Sequence, residues 1–298
     1  MRGRLWKSLV LAALLALGLA APAPARWHVS AQTTVTGLGH PESVAWDPRD
    51  QTLYLSNFGP PLKPGQKDHR GYISRLDQRG RVLEPRRLPA EGSLHKPKGL
   101  WLQGRRLWTA DIDALWVFDL DSRQGRRLEL PGAVFLNDPV VAGDRLYVSD
   151  TQAHRIYQVE PADFLAAEPA ISLRLEQKGL APNGLWALPD GALLIASSPR
   201  DGSLGSVWRL EPGATEARPL TPPAGRLDGL AALPDGTLLF TDWISGGLYA
   251  REPSGQRRWL AGRFQGPADF ALIPQGGGFL LVLPDLVSGE LHFLTLEP

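Results

Sequence analysis

The sequence contains no cysteine, a single methionine, only six histidines and no marked excess of charge of either sign over its 298 residues. Without cysteine no disulfide can form, and a lipidated N-terminal anchor is excluded. The missing thiolates and the few histidines argue against a zinc or copper centre. No basic patch stands out, so nucleic acid is not an expected partner. Also missing is any stretch with apolar residues three and four apart over ten or more positions, the mark of an amphipathic helix.

Turn formers are abundant instead, with 32 Gly and 27 Pro. Together with many short apolar runs they favour a turn-rich β architecture. Hydrophobic residues make up 43% and charged residues 21%, as in ordinary soluble proteins. A chain of this length can bury a sizeable core without covalent staples.

Residues 1–25 read as a secretory signal peptide. Arg2, Arg4 and Lys7 precede an apolar stretch from Ser8 to Ala20, and Ala23-Pro24-Ala25 supplies an Ala-x-Ala cleavage site. The expected product starts near Arg26, is exported to the periplasm or secreted, and has no membrane attachment after cleavage. Removing the three signal cations from the 32 Lys and Arg leaves 29 against 31 Asp and Glu.

Six segments repeat one pattern, a polar residue before an apolar strand, then a Gly or Asp turn and a second strand. They start at Pro41-Glu42-Ser43-Val44, Pro97-Lys98-Gly99-Leu100, Leu136-Asn137-Asp138-Pro139, Pro182-Asn183-Gly184-Leu185, Leu227-Asp228-Gly229-Leu230 and Pro267-Ala268-Asp269-Phe270. From the second start onward the spacing is about 39 to 46 residues, the pitch of a four-stranded propeller blade. The expected fold is all-β, a six-bladed β-propeller over residues 26–298. The stretch from Arg26 to Val35 is expected to close the ring as the outer strand of the last blade. The first spacing is longer because of Phe58 to Arg70, which reads as a loop between the second and third strands of blade one.

One register position reads Glu42, Lys98, Asn137, Asn183, Asp228 and Ala268 around the ring. Residues just before the inner strands of a propeller converge at one mouth of its channel. Glu42, Asn137, Asn183 and Asp228 thus bring two carboxylates and two amide carbonyls together, a hard oxygen set suited to Ca²⁺ or another divalent cation. Asp269, offset by one place, is a fifth ligand or lies behind the first four. Asn-Gly, Asp-Gly and Asn-Asp are also ordinary turn sequences, and it is the shared register that distinguishes them here.

The chain resembles the gluconolactonase and regucalcin family of calcium-dependent six-bladed propellers, with paraoxonase, diisopropylfluorophosphatase and strictosidine synthase as more distant relatives. The resemblance rests on Pro41-Glu42 with Trp46-Asp47, Asn137-Asp138 leading to Tyr147-Val148-Ser149-Asp150, Pro182-Asn183-Gly184, and Leu227-Asp228-Gly229. It implies that Glu42, Asn137, Asn183 and Asp228 hold a catalytic Ca²⁺, with Asp228 as general base or nucleophile. The implied activity is hydrolysis of a lactone or ester, with the metal polarising the substrate oxygen. A propeller that binds a small ligand or a protein without turnover is the alternative. A small-molecule substrate and a monomeric state are expected.

Lys98 departs from the oxygen ring. It is a base of depressed pKa, a binder of substrate anions, or a salt-bridge partner of Glu42 or Asp269. His40, His69 and His95 lie where top-face loops are expected. Trp101, Trp186 and Trp243 read chiefly as blade packing, with Trp243 able to face the mouth. The Phe58 to Arg70 loop is a lid over the site or a plain surface loop.

Overall fold

The computed structural model describes residues 26–298, so the signal segment lies outside the described residues. Six four-stranded antiparallel sheets follow one another around a ring, and among the described residues there is no helix. The first strands are Pro41–Asp47, Pro97–Gln103, Leu136–Ala142, Pro182–Ala187, Leu227–Ala232 and Ala271–Gln275. The chain is therefore the all-β six-bladed propeller expected from the repeats.

The N-terminal strand His28–Val35 pairs with Glu290–Glu297 as the outermost strand of blade six. Trp27 reinforces the closure. Its ring packs 5.6 Å from that of Phe279 in blade six, and its Nε1 donates to Asp235 Oδ2 in blade five at 2.8 Å. Joining the two ends of the chain in one sheet leaves no blade unpartnered.

The core lies between the blades. Leu107, Trp116 and Phe118 of blade two meet Tyr54 and Ile73 of blade one. On its other side blade two presents Trp108 and Val117 to Leu136, Val148 and Tyr157 of blade three. The same alternation continues around the ring to Val282 and Phe293, which meet Val44 and Leu55. The two faces of each strand thus serve two different interfaces, which is why the strands read as near-continuous apolar runs.

A recurrent clasp in four blades, two, three, five and six, ties the inner strand to its neighbour. The carboxylate ending the second strand accepts backbone N–H bonds from the residues just ahead of the first strand. Asp111 accepts from His95 and Lys96 at 2.9 and 2.7 Å, Asp150 from Val134 and Phe135 at 2.8 and 2.9 Å, and Asp242 from Arg226 at 2.8 Å. Asp285 does the same for Gln265 and Gly266 at 2.7 and 2.9 Å. These buried anions satisfy amides that would otherwise be orphaned. They also set the height at which each of these blades presents its register residue.

Candidate active site at the channel mouth

The first strands of blades one to five share an irregularity. Pairing with the second strand skips between Pro41 and Val44, Pro97 and Leu100, Leu136 and Pro139, Pro182 and Leu185, and Leu227 and Leu230. The two residues inside each skip are released from the ladder, as at a β-bulge. Asn-Gly and Asp-Gly here belong to strands, which corrects their reading as turns. In blade six the strand starts later, at Ala271, and only a single bridge from Pro267 to Asp285 marks the corresponding place.

The glycines in these skips are required by space. A Cβ on Gly184 would collide with the Asp228 carbonyl of the next blade, and one on Gly99 would stand 2.7 Å from Asp138 Cα. Adjacent inner strands approach so closely that no side chain fits.

Glu42, Lys98, Asn137, Asn183 and Asp228 are all buried at the mouth. Trp243 Nε1 donates to Asp228 Oδ2 at 2.6 Å, so this tryptophan does face the site. Asn183 lies beside the same carboxylate, and its Nδ2 donates to the Leu227 carbonyl at 3.2 Å. Asn137 Nδ2 donates to Thr151 Oγ1 at 3.4 Å, and no hydrogen bond joins its side chain to the other ring residues. Glu42 Oε2 and Asn183 Oδ1 are buried and accept no hydrogen bond. Orphaned buried acceptors are costly unless something else fills their lone pairs.

Lys98 makes no ion pair with Glu42 or Asp269, which corrects the salt-bridge expectation. Its Nζ stands 4.2 Å from the centre of the Phe135 ring and 3.4 Å from the Lys96 carbonyl. Burial pulls its pKa down to about 8, against the opposing pull of Asp111 and Glu42.

A second tier of carboxylates lies one residue further along the strands. That position reads Ser43, Gly99, Asp138, Gly184, Gly229 and Asp269. Asp138 is buried and accepts the Leu185 N–H at 2.6 Å, and Asp269 accepts from Ser43 Oγ at 2.7 Å. Both line a cavity of about 330 Å³ that enters the channel from the opposite face, walled by Trp46, Trp101 and Trp186. Trp101 and Trp186 thus wall the channel besides packing against the blade cores. Asp138 was legible in the repeat alignment, where it is one of two acids in a row of Ser and Gly.

Crowding of these acids shapes their protonation. Burial, then Asp228, raises the Glu42 pKa well above the usual carboxylate range, with Lys98 opposing. Burial, then Asp269, raises Asp138 likewise. Asp228 is pushed up to about 6 by burial, with the Trp243 and Asn183 hydrogen bonds acting against the rise. Asp269 rises to about 7, chiefly through burial. Burial is thus the main cause throughout, with Asp228 and Asp269 adding to it at their acidic neighbours.

The loop from Phe58 to Arg70 bears on the mouth. Phe58 and Leu62 pack with Ala268, Leu286 and Trp243 on the blade-five and blade-six side. The fully buried Lys96 fastens the loop, pairing with Asp68 at 2.8 Å and donating to the Phe58, Gly59 and Pro61 carbonyls. His69 and His95 meet edge to face at the outer end of this loop, 4.3 Å between ring centres. His40 Nδ1–H donates to the Leu286 carbonyl at 3.0 Å.

A separate acidic cluster with histidine, Asp285, Glu290 and His292, has donor atoms within 4.8 Å of one another and is a possible cation site. Asp285 there is already engaged by four backbone N–H groups.

No family model matches the chain, and no curated protein matches it. Solved structures do. A structure described as a gluconolactonase superposes with a TM-score of 0.66 at 17% identity, covering 93% of each chain. A gluconolactonase from Xanthomonas campestris gives 0.65 at 17%, covering 91% of each. A streptogramin B lyase gives 0.62 at 12%, covering 90% of this chain and 98% of the other. The chain thus has the propeller fold of gluconolactonase-like structures, at low sequence identity.

Proposed function

We propose that the protein is an exported, divalent-cation-dependent hydrolase of lactones or esters. Glu42, Asn137, Asn183 and Asp228 would hold the cation, with Ca²⁺ preferred for an all-oxygen donor set. The observation that carries this reading is the pair of orphaned buried acceptors, Glu42 Oε2 and Asn183 Oδ1, beside Asp228, which with burial raises the Glu42 pKa. A bound divalent cation fits both features, since it coordinates lone pairs and offsets negative charge. Two of the fold neighbours are described as gluconolactonases, which accords with the reaction class.

A cation in this site supplies Lewis acidity toward the carbonyl oxygen of the substrate. The residues do the rest. Asp228 accepts a proton from the attacking water as its oxygen bonds to the carbonyl carbon; direct attack by Asp228, followed by hydrolysis of the acyl carboxylate, is the other route the geometry allows. Trp243 holds one Asp228 oxygen and so fixes which edge faces the substrate. The acyl C–O bond then breaks, and Lys98, whose pKa burial lowers to about 8, gives a proton to the departing oxygen. Phe58 and Leu62 limit water at the mouth. Export suits this chemistry, because calcium is plentiful outside the cytoplasm. A monomer suits a closed ring whose only sheet edges are the short outer strands of the blades.

Metal analysis combined with a panel of lactones and aryl esters tests the reading. The purified protein is expected to hold one Ca²⁺ per chain, and Asp228→Ala to lower kcat/KM by at least about a thousandfold. A protein without bound metal whose activity survives the substitution would overturn the proposal. Metal retained with no turnover of any substrate would favour the binding alternative.

A further inference from the structure

Two arginines at the mouth are held without an acid. Many guanidinium groups elsewhere are clamped by acids, as Arg209 is by Asp190 and Glu211 at 2.6 and 2.7 Å, and Arg105 by Asp47 and Asp121, both at 2.7 Å, though Arg86, stacked over Tyr72, has none either. Arg200 and Arg226, among the described residues, have no carboxylate within 4.0 Å and their side chains donate no hydrogen bond to the protein. Each lies over an aromatic wall instead. The Arg200 guanidinium carbon is 4.8 Å from the centre of Phe135, the ring that also carries the Lys98 ammonium. That of Arg226 is 5.3 Å from Trp243, the residue bonded to Asp228.

The two come from neighbouring blades. Arg226 stands two residues ahead of Asp228, and Arg200 follows the second strand of blade four, which presents Asn183. They are close enough that Arg226, after burial, helps to lower the Arg200 pKa, while Asp228 opposes the shift. A cleft of about 210 Å³ opens beside Arg200, between blades three and four, with Thr151, His154 and Ser198 on its walls. Two guanidiniums over the rings that carry Lys98 and bond Asp228 set two positive charges beside one buried carboxylate, an excess that a substrate anion would offset.

We infer that the substrate carries an oxyanion, a carboxylate or a phosphate, that binds Arg200 and Arg226 while its lactone or ester group reaches Asp228. The planar guanidinium matches either oxyanion through paired N–H bonds, and each fork has an aromatic ring on one side. The binding half of this inference stands on the arginines alone, and the hydrolytic half rests on the function proposed above. Neutral sugar lactones would be poor substrates, because they leave the two cations unpaired.

Three acetate esters of one shape read the preference, namely phenyl acetate, 4-acetoxybenzoate and 4-acetoxyphenyl phosphate, assayed at low ionic strength with saturating Ca²⁺. At least one anionic ester is expected to exceed phenyl acetate in kcat/KM by about tenfold or more, mainly through KM, with the advantage shrinking as salt rises. Which of the two does so separates carboxylate from phosphate. The Arg200→Ala/Arg226→Ala double variant is expected to collapse that ratio, and the double Arg→Lys variant to keep part of it. Equal rates for all three esters, or a ratio unmoved in the double alanine variant, would overturn the inference.

Calorimetric titration with benzoate, phenyl phosphate and neutral benzamide gives a reading that needs no turnover. The wild type should bind an anion in preference to benzamide, and the double alanine variant should lose that binding while keeping its Ca²⁺ affinity. Benzamide binding as well as the anions, or anion binding that persists in the variant, would sink the inference even if Asp228→Ala shows the hydrolase reading to be right. Preferential anion binding without any ester turnover would leave it standing and defeat the hydrolase reading instead.

Discussion

Asp228 is the residue on which the proposed chemistry turns, and Trp243 is the residue that controls it most directly. The indole N–H donates to Asp228 Oδ2 at 2.6 Å and acts against the burial that raises its pKa to about 6. A donor to a carboxylate stabilises the charged form. Trp243→Phe removes that donor and keeps most of the apolar packing, so the Asp228 pKa rises. The acid limb of kcat/KM is expected to move upward by up to about one pH unit, with kcat falling about tenfold. A pH–rate profile of the variant checks this, and an unmoved acid limb would reduce Trp243 to a packing residue. Residue by residue, the four oxygen donors and Lys98 were readable because they occupy one repeat register. Arg200 and Arg226 were not. They sit in loops of unlike length, and nothing in sequence spacing shows that two loops from neighbouring blades will meet.

The inner strand is the element that builds the site. Its pairing skip frees two consecutive residues from the ladder, the first of them the register residue at the mouth. Glycine in the second place lets neighbouring strands close up. A methyl group on Gly184 has no room against the Asp228 carbonyl, so Gly184→Ala must push blade five away from blade four. Overpacking of this kind costs about 3 kcal/mol, whereas Gly65→Ala, in open space and without a positive φ, should change stability by less than about 0.5 kcal/mol. Urea unfolding of the two variants makes the comparison, and equal midpoints would refute the close-approach account. The strands themselves were legible from apolar runs and repeat spacing. The skips were not, because Asn-Gly and Asp-Gly are the same two letters whether they turn a chain or narrow a channel. Only the neighbouring blade distinguishes the cases.

At the scale of the whole molecule, ring closure gathers four buried acids, Glu42, Asp138, Asp228 and Asp269, around one axis. Asp228 at about 6 and Asp269 at about 7 both lie above the 3.8 of a free aspartate. Below about pH 3 the folded and unfolded chains are both largely protonated at these sites. As pH rises toward 7 the unfolded chain loses its protons first, so stability falls as pH climbs through the folded pKa values, by at most about 1.4 kcal/mol per pH unit for each group. Lys98, lowered to about 8, acts in the opposite sense and only above that pH. The chelated protein is therefore expected to melt at a lower temperature at pH 8 than at pH 5, and Ca²⁺ to raise Tm more at pH 8. Thermal melts with EDTA or Ca²⁺ at the two values test this; a chelated form no less stable at pH 8 would contradict it. By itself the sequence determined the class of fold, the six units, the closing role of the N-terminal strand and the register that Glu42, Asn137, Asn183 and Asp228 share, because each is written as a local pattern in the chain. The tertiary structure alone decided that Lys98 rests on Phe135 rather than on an acid, that Asp138 and Asp269 share the channel, and that two unpaired guanidiniums flank Asp228. Those are distances between blades, set by how six sheets pack around an axis, and no single repeat contains them.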